Sequence, residues 1–160
     1  MEINIIMAHD SKSGIGKNGK LPWHNKEDVE FFTSTTKGNG KNAVVMGHST
    51  WQSLPHPPLA DRINIVLSNT KQEEKGCVVV RTPEDAVTWA TESGVEQLWV
   101  IGGAQTFQAF KDQGIVQQMF ITTIHGDFDC DVKYSPCTND YAISAWHQIE
   151  GGMITKWELA

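Results

Sequence analysis

The strongest constraint on this chain is a series of short, nearly unbroken apolar runs: Ile3 to Ala8, Asn42 to Met46, Ile63 to Leu67, Cys77 to Val80, Leu98 to Ile101 and Met119 to Ile124. A strand with one wet face alternates apolar and polar residues, whereas a continuous run is buried on both faces and needs helices above and below its sheet. Helical patterns do separate these runs, which predicts an α/β fold. A last pair of strands, around Ala142 to Gln148 and Met153 to Leu159, reads as a hairpin about Gly151-Gly152. No internal repeat and no long Pro, Gly or Ser linker divides the chain, so residues 1–160 are expected to form one domain.

Two helix starts are written plainly. Thr82-Pro83-Glu84-Asp85 and Asn25-Lys26-Glu27-Asp28 each place a capping residue three positions ahead of a carboxylate. Pro83 suits a first helical position, and Ala86, Trp89 and Ala90 follow on one face. Val29, Phe31 and Phe32 follow the other start, and a third helix is expected from about Gly103 to Lys111.

Charge and motifs narrow the function. With 13 basic against 19 acidic side chains the net charge is −6, which argues against a nucleic-acid or anionic-membrane surface. Cys77, Cys130 and Cys137 match neither a zinc ribbon nor a redox pair, and read as reduced thiols of a cytosolic protein. The opening MEINIIMAHD has no basic flank and too short an apolar run for a signal peptide or a membrane span. Six histidines occur without paired ligand spacing, so no metal site is expected, and no G-x-S-x-G elbow supports a hydrolase.

Gly14-Ile15-Gly16-Lys17-Asn18-Gly19-Lys20 matches two nucleotide motifs on paper only. It neither follows its strand at once nor opens a helix, since Leu21-Pro22-Trp23 comes next, and Leu21 stands where a P-loop needs Ser or Thr. A surface loop is the better reading. Gly102-Gly103 is better placed, passing directly from a strand into a helix. Its N–H groups can cradle an anion, or the pair is simply a tight turn. Asp28 has two readings as well: it closes a capping box, or, sharing a helix face with Phe32, it is a desolvated carboxylate able to bind or protonate a heterocycle. Only Arg62 and Arg81 could grip a carboxylate bidentately.

Taken in order, these pieces resemble dihydrofolate reductases over nearly the whole chain. The sequence shows Ile15-Gly16, Leu21-Pro22-Trp23, Asp28 five residues past that tryptophan, and Phe32 one turn on. Then come Val45-Met46-Gly47, Thr50-Trp51-Gln52-Ser53, Arg62 ahead of Ile63-Asn64-Ile65-Val66-Leu67-Ser68, Val100-Ile101-Gly102-Gly103-Ala104, and Ile121-Thr122. The resemblance implies a mixed, mostly parallel sheet of about eight strands flanked by helices. It also implies hydride transfer from NADPH to 7,8-dihydrofolate, the cofactor supplying the hydride and the protein supplying position and dryness.

On this resemblance Asp28 is the ionisable group that meets the pterin, with Thr122 beside it and Leu21 and Trp23 completing the catalytic set. Ile6, Ala8, Val29, Phe32, Leu54 and Ile101 resemble the apolar walls of the substrate pocket, and Arg62 looks like the clamp on the substrate's α-carboxylate. The nicotinamide is expected near Ala8 and Ile15, under a lid from Gly14 to Trp23 that includes Gly16, Gly19 and Lys20 and has Leu21 near its tip. The pyrophosphate is expected against Gly102, Gly103, Ala104, Gln105, Thr106 and Phe107, and against Gly47, His48, Ser49 and Thr50. Ser68, Asn69 and Arg81 look like neighbours of the adenosine.

The chain departs from the family pattern where many relatives carry arginines for the 2′-phosphate. His48 and Gln105 stand there instead, so cofactor affinity is expected to depend more on pH and salt. The rival readings are a reductase of another pteridine or pyrimidine, and a catalytically silent nucleotide-binding relative. Nothing in the sequence requires more than a monomer.

Overall fold

Alternation along the first strand sorts the whole molecule. In the computed structural model, which describes residues 1–160, β1 runs Glu2–Asp10. Its Ile3, Ile5 and Met7 enter one core and Ile6 enters the other, because successive side chains point to opposite faces. The remaining elements are β2 (Gly14–Gly16), α1 (Lys26–Lys37), β3 (Ala43–Gly47), α2 (His48–Ser53), β4 (Ile63–Leu67), β5 (Val78–Val80) and α3 (Pro83–Glu92). They continue with β6 (Gln97–Gly102), α4 (Ala104–Asp112), β7 (Gln118–Ile124), β8 (Val132–Lys133), β9 (Tyr141–Ile149) and β10 (Gly152–Leu159).

Eight strands form one sheet in the order β5-β4-β3-β6-β1-β7-β10-β9. All pairs from β5 to β7 are parallel, and β10 pairs antiparallel with both β7 and β9. The expected mostly parallel, helix-flanked sheet is therefore what the chain forms. Ala86 and Ala90 of α3 and Phe107 and Phe110 of α4 cover one face, over Ile5, Leu98 and Met119 of the sheet. Phe31 and Phe32 of α1 and Trp51 of α2 cover the other, over Ile6, Val44, Val66 and Trp99. Each fully buried Ile, Leu or Val contributes about 1.5–3 kcal/mol, so both layers are needed to hold the sheet. No helix is long and apolar enough to cross a membrane.

The two helix starts are as the capping patterns predict. Asn25 Oδ1 accepts the Asp28 N–H at 3.0 Å, and Thr82 Oγ1 accepts the Asp85 N–H at 3.1 Å. The first is not a full capping box, because the Asp28 side chain turns to Thr122. Three segments differ from expectation. The Gly14–Trp23 segment, expected as a lid, is not a plain loop: β2 pairs with β8, and Lys17 and Lys20 exchange backbone hydrogen bonds of 2.7 and 3.0 Å. Asn18 and Gly19, at φ 53 and 79°, make a two-residue turn between them. That turn is the tip, and Leu21 follows directly after Lys20. The final hairpin turns at Glu150-Gly151, with Gly152 already in β10. The third helix begins at Ala104, with Gly103 as its cap.

Candidate active site

Parallel strands bring their carboxyl ends to one edge, and in open α/β sheets ligands bind outside those ends where the strand order reverses. Here the chain leaves β1 for β3 and returns through β6, which inserts between them. The crevice at that reversal is bordered by the ends of β1, β3 and β6 and by α1, α2 and α4.

Asp28 is the candidate acid of this crevice. As the third residue of α1 it lends only its backbone N–H to the Asn25 cap. Its carboxylate instead accepts a 2.7 Å hydrogen bond from the hydroxyl of Thr122 on β7. Thr122 is 2% exposed and pairs in register with Ala8 of β1. Burial pushes the Asp28 carboxyl above its ordinary range, and the Thr122 hydroxyl pulls it only part of the way back. No cation pairs with it. The site thus holds one half-buried acid with an oxygen to spare, oriented by a hydroxyl.

The predicted walls are largely brought together. Ile6, Phe32, Leu54 and Ile101 belong to or pack on one apolar cluster, on the face of the sheet that carries Ala8 and Thr122. Val29 and Leu21 are exposed, at 51% and 55%. Trp23 has a buried indole Nε1–H with no hydrogen-bond partner, an orphan donor in a segment leading straight into α1. Arg62 lies at the far end of the cluster, its guanidinium carbon 6.0 Å from the Phe32 ring centroid. Its Nε donates to the Ala60 carbonyl and its Nη1 to Thr36 Oγ1, each at 2.9 Å, which aims the guanidinium and leaves Nη2 free. Thr36 was not anticipated from sequence; one turn past Phe32 on α1, it carried no signal of its own.

The second half of the crevice is built from helix starts. α1 and α3 have side-chain caps, but α2 and α4 have none. The first-turn N–H groups of α4, from Ala104 to Thr106, therefore lack helical or side-chain acceptors. The backbone here is close to neighbouring polar groups: a Cβ on Gly47 would lie 2.9 Å from Thr106 Oγ1, and one on Gly102 would lie 3.3 Å from Thr50 Oγ1. Uncapped N–H groups flanked by hydroxyls and glycine suit a pyrophosphate in charge and donor chemistry. Phe107 stands apart from this set, because its N–H is bonded to the Gly103 carbonyl at 2.9 Å and its ring is core, stacked on Tyr134. Ile15 likewise packs against the cluster that contains Met7 and Ile121.

Toward the outer strands, the Arg81 guanidinium donates to the Ser68 carbonyl, while Asn69 is exposed beside them. Ser49 and Gln105 are exposed as well. His48 Nε2 lies 3.1 Å from Glu74 Oε2, and the Trp51 indole together with His48 holds the Glu74 carboxyl below its ordinary range. Glu74 was missed from sequence, since nothing linked it to a residue twenty-six positions away. No group of three or more His, Cys, Asp or Glu residues is placed to hold a metal ion.

The sequence is similar to those of known proteins. The family model described as dihydrofolate reductase matches residues 2–156. A putative dihydrofolate reductase of Caenorhabditis elegans is 38% identical over 143 residues, covering 82% of this chain and 76% of that protein. The dihydrofolate reductases of Schistosoma mansoni and Drosophila melanogaster are 39% and 37% identical over 145 and 144 residues, each covering 84% of this chain and respectively 78% and 79% of their own length. The chain belongs to the dihydrofolate reductase family. Within a dihydrofolate reductase fold, the pair Asp28–Thr122 is a carboxylate that the sequence alone left divided between capping and chemistry, and its side chain has gone to the crevice.

Proposed function

We propose that the protein reduces dihydrofolate to tetrahydrofolate with NADPH as reductant. The observation that carries the reading is the Asp28 carboxylate, desolvated, free of any cation and hydrogen-bonded to Thr122 at 2.7 Å. A flat heterocycle with adjacent ring and exocyclic N–H donors fits such a group, because two parallel hydrogen bonds to a carboxylate fix its orientation.

The bound cofactor supplies the hydride. Asp28 holds the pterin by its 2-amino group and N3 and, as a fixed negative charge, favours protonation at the pterin N5 without reaching it. Thr122 keeps the carboxylate turned inward. The orphan Trp23 Nε1–H, closed off from solvent, serves as a donor to the pterin carbonyl side or to a water carrying the proton. Ile6, Ala8, Phe32, Leu54 and Ile101, with Val29 and Leu21 buried once a ligand is bound, exclude bulk water and strengthen the field of Asp28. The free Nη2 of Arg62 suits an α-carboxylate, and this favours a substrate with a glutamate tail over a bare pteridine.

The start of α4 and Thr50 would hold the pyrophosphate, while Ser68 and Arg81 would lie toward the adenosine. His48 would meet the 2′-phosphate with Glu74 already beside it, so the preference for NADPH over NADH is expected to be small. One chain supplies Asp28, Thr122, Trp23 and Arg62, so a monomer suffices. Three unpaired cysteines suit the cytosol. The direct test follows the absorbance of NADPH and of NADH in the presence of dihydrofolate. Consumption that requires dihydrofolate supports the reading, and its absence with a folded protein rejects it.

A further inference from the structure

One buried carboxylate has no part in the chemistry above. Asp10 ends β1, is 0% exposed, and has no cation within reach. Its two oxygens face different parts of the chain. Oδ1 accepts the N–H groups of Lys12 and Gly14, each at 2.8 Å, and so closes the local turn into the lid ribbon. Oδ2 reaches across the fold to the loop before β8, accepting the Phe128 N–H at 3.0 Å and the Cys130 thiol at 3.5 Å. Burial alone would raise this carboxyl, yet the hydrogen bonds from Phe128, Gly14, Lys12 and Cys130 outweigh it and hold the group at about 2. Those hydrogen bonds favour its charged form.

The second arm leads to the site. The Phe128 ring meets the Trp23 indole edge to face, with centroids 5.4 Å apart at 64°, and Trp23 carries the buried, unpartnered Nε1–H. A turn needs only the first arm, and a serine or asparagine would serve it equally. The charge and the long reach of Oδ2 need another explanation. We propose that Asp10 is a positioning residue for Trp23: by fixing the Phe128 backbone it holds the ring on which the indole is seated, and so sets where the Nε1–H points.

Asp10→Asn keeps an acceptor for Lys12 and Gly14 but turns an NH2 group against the Phe128 N–H. Asp10→Ser keeps the local turn and cannot reach Phe128, and so provides a second variant should the first fail to fold. Phe128→Leu keeps the backbone bond and removes the ring. Cys130→Ala removes the weaker donor to the same oxygen. The readout is the indole N–H signal of Trp23 in heteronuclear NMR of the labelled protein, identified by its loss in Trp23→Phe. Both Asp10 variants and Phe128→Leu should shift and broaden it, and Cys130→Ala should not.

The kinetic consequence rests on the reading of Trp23 as a donor to bound substrate. At equal folded fraction, kcat should fall by about tenfold while the KM for dihydrofolate changes by less than about twofold, the split expected of an interaction made in the transition state. An indole signal unmoved in both Asp10 variants, or moved as far by Cys130→Ala, overturns the proposal. A displaced signal with unchanged kcat supports the tether and instead retires Trp23 as a donor.

Discussion

Replacing Asp28 by asparagine separates its two roles cleanly. The cap on α1 uses the Asp28 backbone N–H, so the helix start is untouched, and an amide of the same shape still meets the Thr122 hydroxyl. What disappears is a charge facing the substrate. One charge-assisted hydrogen bond is worth about 1.5–3 kcal/mol, and a preorganised group aimed at transition-state charge about 2.7–4 kcal/mol, or a factor of about 10²–10³ in kcat. The structure supports the upper part of that range, because Asp28 is desolvated.

Stability should move the other way. The folded carboxyl is raised, so its contribution is fully present below the unfolded value and is lost as pH rises through the folded one. At neutral pH the buried charge is a cost, and Asp28→Asn should melt at or above the parent Tm. Steady-state NADPH consumption across pH, with melts on the same samples, reads both effects. The variant's rate should climb as pH falls, since only solvent can then protonate the pterin. A kcat within about twofold of the parent, or a loss that tracks a lowered Tm, refutes the assignment of Asp28 to chemistry.

Three further outcomes follow from the same contacts. Thr122→Val removes the hydroxyl that pulls the Asp28 carboxyl down, so the acid limb of the kcat/KM profile should move to higher pH; an unmoved limb means that Asp28 does not set it. Arg62→Ala should weaken dihydrofolate binding by about 1.5–3 kcal/mol in calorimetry while leaving a tail-less pterin unaffected, and equal losses for both ligands would mean that the pocket itself has shifted. Glu74→Gln neutralises the partner of His48 and should tighten NADPH but not NADH in a binding titration at low salt, with the gain fading as salt rises; a gain common to both cofactors would place the 2′-phosphate elsewhere.

Local signals carried much of the architecture. Apolar runs long enough to cross a two-sided sheet located six strands to within a residue or two at each end, and Asn25, Thr82 and Pro83 located two helix starts through chemistry confined to a few neighbours. Elements too short to have a period were not legible. β2 and β8 hold three and two residues and are held in place by each other.

The composition of the site was legible in the order of its pieces, but its internal connections were not. Asp28 could be seen to share a face with Phe32. That its carboxylate leaves the cap for Thr122, ninety-four residues away, is decided by the register of β7 on β1. Likewise Thr36 aims Arg62, Glu74 occupies His48, and Asp10 reaches Phe128, each through a contact between segments far apart in the chain. Periodicity and caps act over a turn or a strand and can be read from one stretch of chain. Which donor meets which acceptor across the crevice depends on how strands stack in order β5 to β9, and only the folded sheet sets that.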